Sequence, residues 1–113
     1  MAGNPRNPAI RTNALGWTVM AWFVYASGST GVGTISYQFQ QGAGATWSAV
    51  ALFVDNTGTA LQIADGGWSG GGIDYVSGNQ AAWEIAVIIS GDAAPSVWQS
   101  YDNCASWTKV GPP

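Results

Sequence analysis

The chain has 113 residues, of which 47% are hydrophobic and only 8% charged, and its formal net charge is −3. A domain usually carries about 25% charged residues, and this length forms one domain with a sizeable core. Three basic residues against six acidic ones cannot neutralise many phosphates, which argues against nucleic-acid binding. The chain has no histidine, the commonest general base and metal ligand. We therefore expect neither an enzyme nor a metal or other cofactor.

The N-terminal segment predicts an extended arm over residues 1–13, ahead of a single β domain over 14–113. Pro5 and Pro8 lack backbone donors and disfavour helix in the residues before them. The arm either packs on its own domain or lies on a neighbouring subunit. We favour the neighbour, with which Arg6 and Arg11 would pair through acidic groups.

From Leu15 onward, short apolar segments alternate with turns rich in Gly, Asn and Asp, which predicts strands rather than helices. The segment 15–26 holds four aromatic residues, and its apolar run is too short to span a bilayer as a helix. We interpret it as a strand and not as a signal peptide or membrane segment. The predicted fold is all-β, a single sandwich or jelly roll of about eight short antiparallel strands, with a barrel left open. The predicted strands are 15–26, 31–40, 46–54, 59–64, 72–76, 82–90, 96–101 and 105–110.

The strand over 15–26 is apolar on both faces. Val19 and Phe23 lie on one face, and Met20, Trp22 and Val24 lie on the other. A sheet with one face in water should instead alternate apolar with polar residues. The second apolar face must be covered by the arm, a second sheet or a partner subunit. Because exposed apolar patches mark interfaces, we expect Met20, Trp22 and Val24 to be buried against a partner.

Low charge, abundant Trp and Gly, and these two-faced strands resemble the composition of small bacteriophage virion proteins, such as capsid decoration, head-fibre and tail components. The resemblance implies a non-catalytic structural or adhesive subunit of a larger assembly. It also implies a location in the virion or outside the cell. The expected partners are other protein subunits, identical or different, and neither nucleic acid nor membrane.

The stretch Ser100-Tyr101-Asp102-Asn103-Cys104-Ala105-Ser106-Trp107 resembles the Asp-box, the hairpin signature Ser-x-Asp-x-Gly-x-Thr/Ser-Trp of sialidases and other propellers. The resemblance implies a β-hairpin in which Asp102 caps the turn and Trp107 packs beneath it. Cys104 stands where glycine, which tolerates a left-handed backbone, is expected. As the single cysteine, it forms no internal disulfide. Residues 15–19, 98–100 and 107–110 are also similar to avidin-type strands.

A second hypothesis is a small carbohydrate-binding lectin. Sugars stack their C–H faces on aromatic rings, while amide and carboxylate groups bind their hydroxyls. Asp65 and Trp68 lie in a Gly-rich loop where we expect the indole to be open on one side; alternatively, Trp68 anchors that loop on the core. A further candidate group comprises Trp98, Gln99, Tyr101, Asp102 and Asn103.

Overall fold

The computed structural model describes residues 6–69, 72–78 and 81–112. Within these ranges the regular structure consists of nine strands in two antiparallel sheets, with no helix. The all-β prediction is therefore confirmed. The first sheet holds β1 (Arg6–Thr12), β2 (Trp17–Tyr25), β3 (Val32–Gln41), β4 (Ala51–Leu52) and β5 (Ile63–Ala64); the second holds β6 (Ile73–Tyr75), β7 (Trp83–Val87), β8 (Ser96–Ser100) and β9 (Thr108–Gly111).

Both sheets are built mainly from consecutive strands. The first follows the order β1-β2-β3-β4, and β5 pairs with the first two residues of β3. The long hairpin of β2 and β3 keeps an unbroken register from Trp17↔Gln41 to Tyr25↔Gly33. The second sheet runs β6-β7-β8-β9. This connectivity follows from short, turn-bounded segments, which favour pairing between neighbours in the chain.

One hydrophobic core lies between the two sheets. Val19 and Phe23 from β2 meet Ile85 from β7 in a single cluster of buried side chains, as the two-residue period of a strand requires. Phe53 lies within this cluster: its ring centroid is 4.7 Å from that of Trp107 and 5.0 Å from that of Tyr37. The sheets therefore form a sandwich around aromatic side chains.

The location expected for the extended arm, on a neighbouring subunit, is wrong for residues 6–12, which pack on their own domain as β1 of the first sheet. β1 pairs with β2 from Ala9↔Ala21 to Thr12↔Thr18, and Ala9 is 4% exposed. Pro8 is tolerated because β1 is an edge strand with an irregular register between Arg6 and Ala9, where a missing donor is harmless. The rest of the predicted arm, residues 1–5, lies outside the described residues.

The strand expected over 46–54 is reduced to the two residues of β4. Gly42 and Gly44, with φ of 112° and 80°, turn the chain away from a regular ladder. Side chains replace ladder bonds there: Gln40 Nε2 donates to the Ala45 carbonyl at 2.8 Å, and Gln38 Nε2 donates to the Ser48 carbonyl at 3.1 Å. Most of this segment is consequently exposed rather than buried on both faces.

Candidate functional site

The outer face of the first sheet, which points away from the core, carries no charged side chain among its strand positions. We call it the uncharged face. Its outward residues are Ile10 and Thr12 of β1; Thr18, Met20, Trp22 and Val24 of β2; Val32, Thr34, Ser36, Gln38 and Gln40 of β3; Leu52 of β4; and Ala64 of β5. Strand alternation alone assigns these residues to one face. The acidic residues of the chain lie in loops and in the second sheet.

Apolar side chains of this face are adjacent through the strand register. Ile10 lies opposite Met20, and Leu52 lies opposite Ser36, whose other neighbour is Trp22. Ile10 is 64% and Leu52 41% exposed, whereas Trp22 is only 1% exposed. The expectation that Trp22 needs a partner for its burial is therefore wrong. Met20 and Val24, the other two residues of that prediction, are half-buried.

The two arginines expected to reach a neighbour contact residues of their own chain. Arg11 Nε donates to the Ile73 carbonyl at 3.2 Å and lies 3.6 Å from Asp74 Oδ1. The Arg6 guanidinium lies 5.6 Å from the centroid of the Tyr25 ring. Arg11 thus links the edge of β1 to β6, across the gap between the two sheets.

The Gly-rich loop does not present Trp68 to solvent. Trp68 is 1% exposed and belongs to the core cluster, so the expectation of an open indole face is wrong. Its Nε1 donates to the Asn7 carbonyl at 2.8 Å, and Asn7 Nδ2 returns a bond to the Trp68 carbonyl at 3.0 Å. Gly67 allows this approach, because a Cβ there would lie 2.6 Å from the Ile88 carbonyl oxygen.

Asp65 does remain at the surface, beside an aromatic hydroxyl. Tyr25 Oη donates to Asp65 Oδ1 at 2.5 Å. This hydrogen bond to Asp65 raises the pKa of Tyr25 above its ordinary value. The two candidates of this loop, Asp65 and Trp68, therefore do not form one binding surface.

The segment 100–107 forms the turn between β8 and β9 and has the bonding expected of a capped hairpin. Asp102 Oδ1 accepts from Ser100 Oγ at 2.7 Å and from the Ser106 amide at 2.9 Å, and Oδ2 accepts from Ser106 Oγ at 2.6 Å. Trp107 packs beneath at 0% exposure. Burial opposes ionisation of Asp102, yet the hydrogen bonds from Ser106 and Ser100 lower its pKa overall. Asp102 therefore has a structural role in this turn.

Cys104 adopts the left-handed conformation that its position in the motif requires, with φ of 73°, and Asn103 precedes it with φ of 56°. The Cys104 side chain is fully buried, and burial raises the pKa of its thiol. Asn103 Oδ1 accepts from Trp83 Nε1 at 3.4 Å. Asp102 and Asn103 thus hold the hairpin together, and neither is arranged primarily for a ligand.

Trp98 also has a structural environment. It is half-buried against the core, and its Nε1 donates to Ser96 Oγ at 3.0 Å. Gln99, the next residue, points to the opposite side of β8 by strand alternation. Of this candidate group, only Gln99 and Tyr101 lie on the outer face of the second sheet.

That outer face carries a row of polar side chains, one from each strand. Asp74 of β6 pairs with Glu84 of β7, Glu84 pairs with Gln99 of β8, and Gln99 pairs with Thr108 of β9. We call these four residues the polar row. Asp74, Glu84 and Thr108 were not among the binding residues predicted from the sequence. The signal was present, because each occupies an outward position of a predicted strand.

A small pocket of about 210 Å³ opens between the β1–β2 turn and the end of β6. Leu15 and Tyr75, which are 58% and 40% exposed, contribute apolar wall. The Asn13 carboxamide oxygen at its base accepts from the amides of Leu15 and Trp17, each at 3.0 Å. The pocket therefore offers few polar groups for recognition.

Within the described residues, no three side chains of the types that bind metals come together. No helix in these ranges has the length and apolar character needed to cross a membrane. Comparisons with protein-family models, with curated proteins and with solved structures find no match to this chain.

Proposed function

We propose that this chain is a non-catalytic structural subunit that assembles with a second copy of itself through the uncharged face. The observation that carries the proposal is the chemistry of that face, whose outward strand positions hold apolar and neutral polar side chains only. Interface cores are depleted in charged residues in the same way. A chain with net charge −3 can place two such faces together without burying a charge, which would be costly.

Exposure of large apolar side chains supports the same proposal. Ile10, Val50 and Leu52 are 64%, 54% and 41% exposed, and they lie on or beside this face. Leaving such side chains in water forgoes roughly 25 cal/mol for each Å² of apolar surface that a partner would cover. Three of the seven large apolar side chains that are exposed among the described residues thus lie on or beside one face, and exposed apolar patches mark interaction surfaces.

The size of the face fits a modest interface. Four strands, with β2 nine residues long, measure roughly 30 Å by 19 Å at ordinary strand dimensions. Two full faces of this size would bury on the order of 1,100 Å² in total, but Thr18, Trp22 and Ser36 are already buried within the chain, so two copies would bury less. Even the full value is near the lower end for specific interfaces, so we expect association in the micromolar range. A particle in which many small subunits pack together, such as a virion, is the setting that the composition suggests.

The test is the molar mass in solution, measured by light scattering after size-exclusion chromatography across a concentration series. We expect the mass to rise from 11.7 kDa toward twice that value as concentration increases. The double variant Ile10→Lys/Leu52→Lys places a charge at two exposed positions of the face. It should stay monomeric at every concentration, with an unchanged far-UV circular dichroism spectrum.

The matched control is Leu15→Lys/Val110→Lys, which changes two residues of similar exposure, 58% and 51%, outside the uncharged face. This control should associate as the parent does. A parent that stays at 11.7 kDa throughout, or association that persists in Ile10→Lys/Leu52→Lys, would contradict the proposal.

A further inference from the structure

The polar row lies on the sheet opposite the uncharged face and is independent of the assembly proposed above. Its four members, Asp74, Glu84, Gln99 and Thr108, cross every strand of the second sheet, a span of about 14 Å at ordinary strand spacing. Two carboxylates directly opposite each other on neighbouring strands destabilise a sheet. Arg11 offsets this repulsion only from the edge, at 3.6 Å from Asp74. Asp74 Oδ1 also accepts from the Tyr75 amide at 2.8 Å, so the row is a partnered line of polar groups on the outer surface of the sheet.

Hydrogen bonds fix the centre of the row before any ligand arrives. Gln99 Nε2 donates to Glu84 Oε1 at 3.0 Å, and Tyr101 Oη donates to Gln99 Oε1. These bonds orient the amide and the carboxylate of two half-buried side chains. The second carboxylate oxygen of Glu84 and the hydroxyl of Thr108 have no partner within the described residues. Preorganised polar groups of this kind give a binding surface its specificity.

An exposed aromatic ring lies on one side of the polar row, and positions with small side chains lie on the other side. Tyr101, immediately after β8, is 59% exposed and reaches back over Gln99 through its hydroxyl. On the other side, Val97 pairs with Ala86 and with Gly111, so two of these three positions have a methyl group or no side chain. A Cβ on Gly111 would lie 3.3 Å from Val97 Cβ. A flat ligand can therefore approach the sheet closely.

From these features we propose that the polar row and Tyr101 bind a neutral oligosaccharide. Carboxylate and amide oxygens accept hydrogen bonds, and sugar hydroxyls donate them along the whole length of the row. The exposed ring of Tyr101 gives a platform for the C–H face of a sugar. A phosphate-bearing ligand would be repelled by Asp74 and Glu84. Because Arg11 offsets Asp74, the net charge of the surface is small, which favours a neutral ligand over a cationic one.

The proposal retains two candidates of the lectin hypothesis, Gln99 and Tyr101, and gives the others structural roles. Trp68 belongs to the core, Trp98 packs against it, and Asp102 caps a turn. The ligand class is therefore that of the sequence hypothesis, whereas the surface is a sheet face rather than a loop.

The test is electrophoresis of the intact protein in native gels, each cast with one soluble neutral polysaccharide: xylan, glucomannan, galactan, dextran or hydroxyethylcellulose. We expect the protein to be retarded in at least one gel. Gln99→Ala and Tyr101→Ala should weaken binding about tenfold or more, and Glu84→Gln, which keeps the shape of the side chain, should weaken it less. The far-UV spectrum of each variant verifies its fold.

Two controls separate this surface from the rest of the molecule. Gln62→Ala removes an exposed glutamine outside the second sheet and should bind as the parent does. Ile10→Lys/Leu52→Lys should lose association but keep retardation, so the two proposals can fail separately. No retardation in any gel, or retardation unchanged in both Gln99→Ala and Tyr101→Ala, would overturn the proposal. Retention by immobilised oligolysine without any polysaccharide binding would assign the row to a cationic partner and overturn it as well.

Discussion

At Gly33 the first sheet has no room for a side chain. A Cβ at this position on β3 would lie 2.2 Å from the Val24 carbonyl oxygen and 2.3 Å from Phe23 Cε2. The backbone oxygen cannot move without disturbing the β2–β3 ladder, so we expect Gly33→Ala to lower the free energy of unfolding by about 3 kcal/mol. Gly31→Ala is the matched control, because nothing lies within 4 Å of its Cβ; it should change stability by less than about 0.5 kcal/mol. Urea unfolding measures both, and equal effects would contradict this account.

Asp102 makes the free energy of unfolding depend on pH in the acidic range. Hydrogen bonds from Ser106 and Ser100 lower its pKa in the folded state, so its contribution is present above the unfolded value of about 3.9 and is lost as pH falls below it. Asp102→Asn should cost about 1–2 kcal/mol at pH 7 and should weaken the loss of stability below pH 4. The measurement is urea unfolding at pH 7, 4 and 3.

The control for this residue is Asp92→Asn, because the Asp92 carboxylate accepts no side-chain hydrogen bond within the described residues. It should change stability little at pH 7. If Asp102→Asn and the parent lose stability equally below pH 4, the carboxylate of Asp102 does not cap the turn.

At the scale of the elements, the assignment of β1 decides whether residues 6–12 belong to the folded sheet or form a free arm. It is exposed at six of its seven positions, and only Ala9 faces the core. Ala9→Asp would bury an unpaired charge. We expect it to lower the free energy of unfolding, measured by urea unfolding, by about 3 kcal/mol or more. Ile10→Asp changes the adjacent, 64% exposed residue and should leave the stability of the monomer nearly unchanged. Two neutral substitutions would mean that this segment is a free arm after all.

The same element explains what local pattern can and cannot predict. Apolar composition and turn chemistry predicted the positions of the strands from 15–26 to 105–110, but the segments 46–54 and 59–64 hold only the two-residue strands β4 and β5. β1 was not predicted because Pro8 and its polar neighbours are typical of an extended arm. Trp68, whose indole donates a hydrogen bond to β1 at Asn7, lies 61 residues away along the chain. Contacts at that separation leave no local signal.

The candidate surfaces also divide into features that local sequence predicts and features that depend on residues far apart in the chain. The capped turn of Asp102 was predictable, because its bonds join residues four positions apart. Prediction of the polar row would have required the register of four strands, which places four side chains next to one another: Asp74, Glu84, Gln99 and Thr108. Of the two interpretations of Trp68, the open indole face was wrong and the anchoring of the loop on the core is confirmed, since two glycines before it let the loop fold inward and place the indole in the core.

For the whole molecule, the two outer faces of one sandwich differ in chemistry. The first sheet is uncharged along its outward strand positions, whereas the second carries two carboxylates in its polar row. A subunit with this asymmetry can associate through one side and present the other side to a ligand. Both faces depend on the same core, so the stability of that core limits the conditions under which either face exists.

The alkaline limit of that core is set largely by Tyr37, which packs against Phe53 and is 8% exposed. Burial first, and then the negative charges of nearby Cys104 and Asp102, raise the pKa of Tyr37 to about 12. Because the folded pKa lies above the unfolded value of about 10, its contribution is complete below pH 10 and is lost as pH rises toward 12. Buried Cys104 acts in the same direction from a lower pH, because burial raises the pKa of its thiol too.

We therefore expect the free energy of unfolding to begin falling above about pH 9, where a thiol in the unfolded chain ionises, and to fall more steeply between pH 10 and 12. Tyr37→Phe should flatten only the steeper part, because it leaves Cys104 in place. Urea unfolding followed by tryptophan fluorescence at pH 8, 9, 10 and 11.5, with phenolate absorbance at 295 nm, measures both steps. Since Tyr37 lies in the one core shared by both sheets, its ionisation should coincide with loss of the whole fold. Phenolate formation at pH 10 in a protein that keeps its native fluorescence would mean that the core opens around Tyr37 alone.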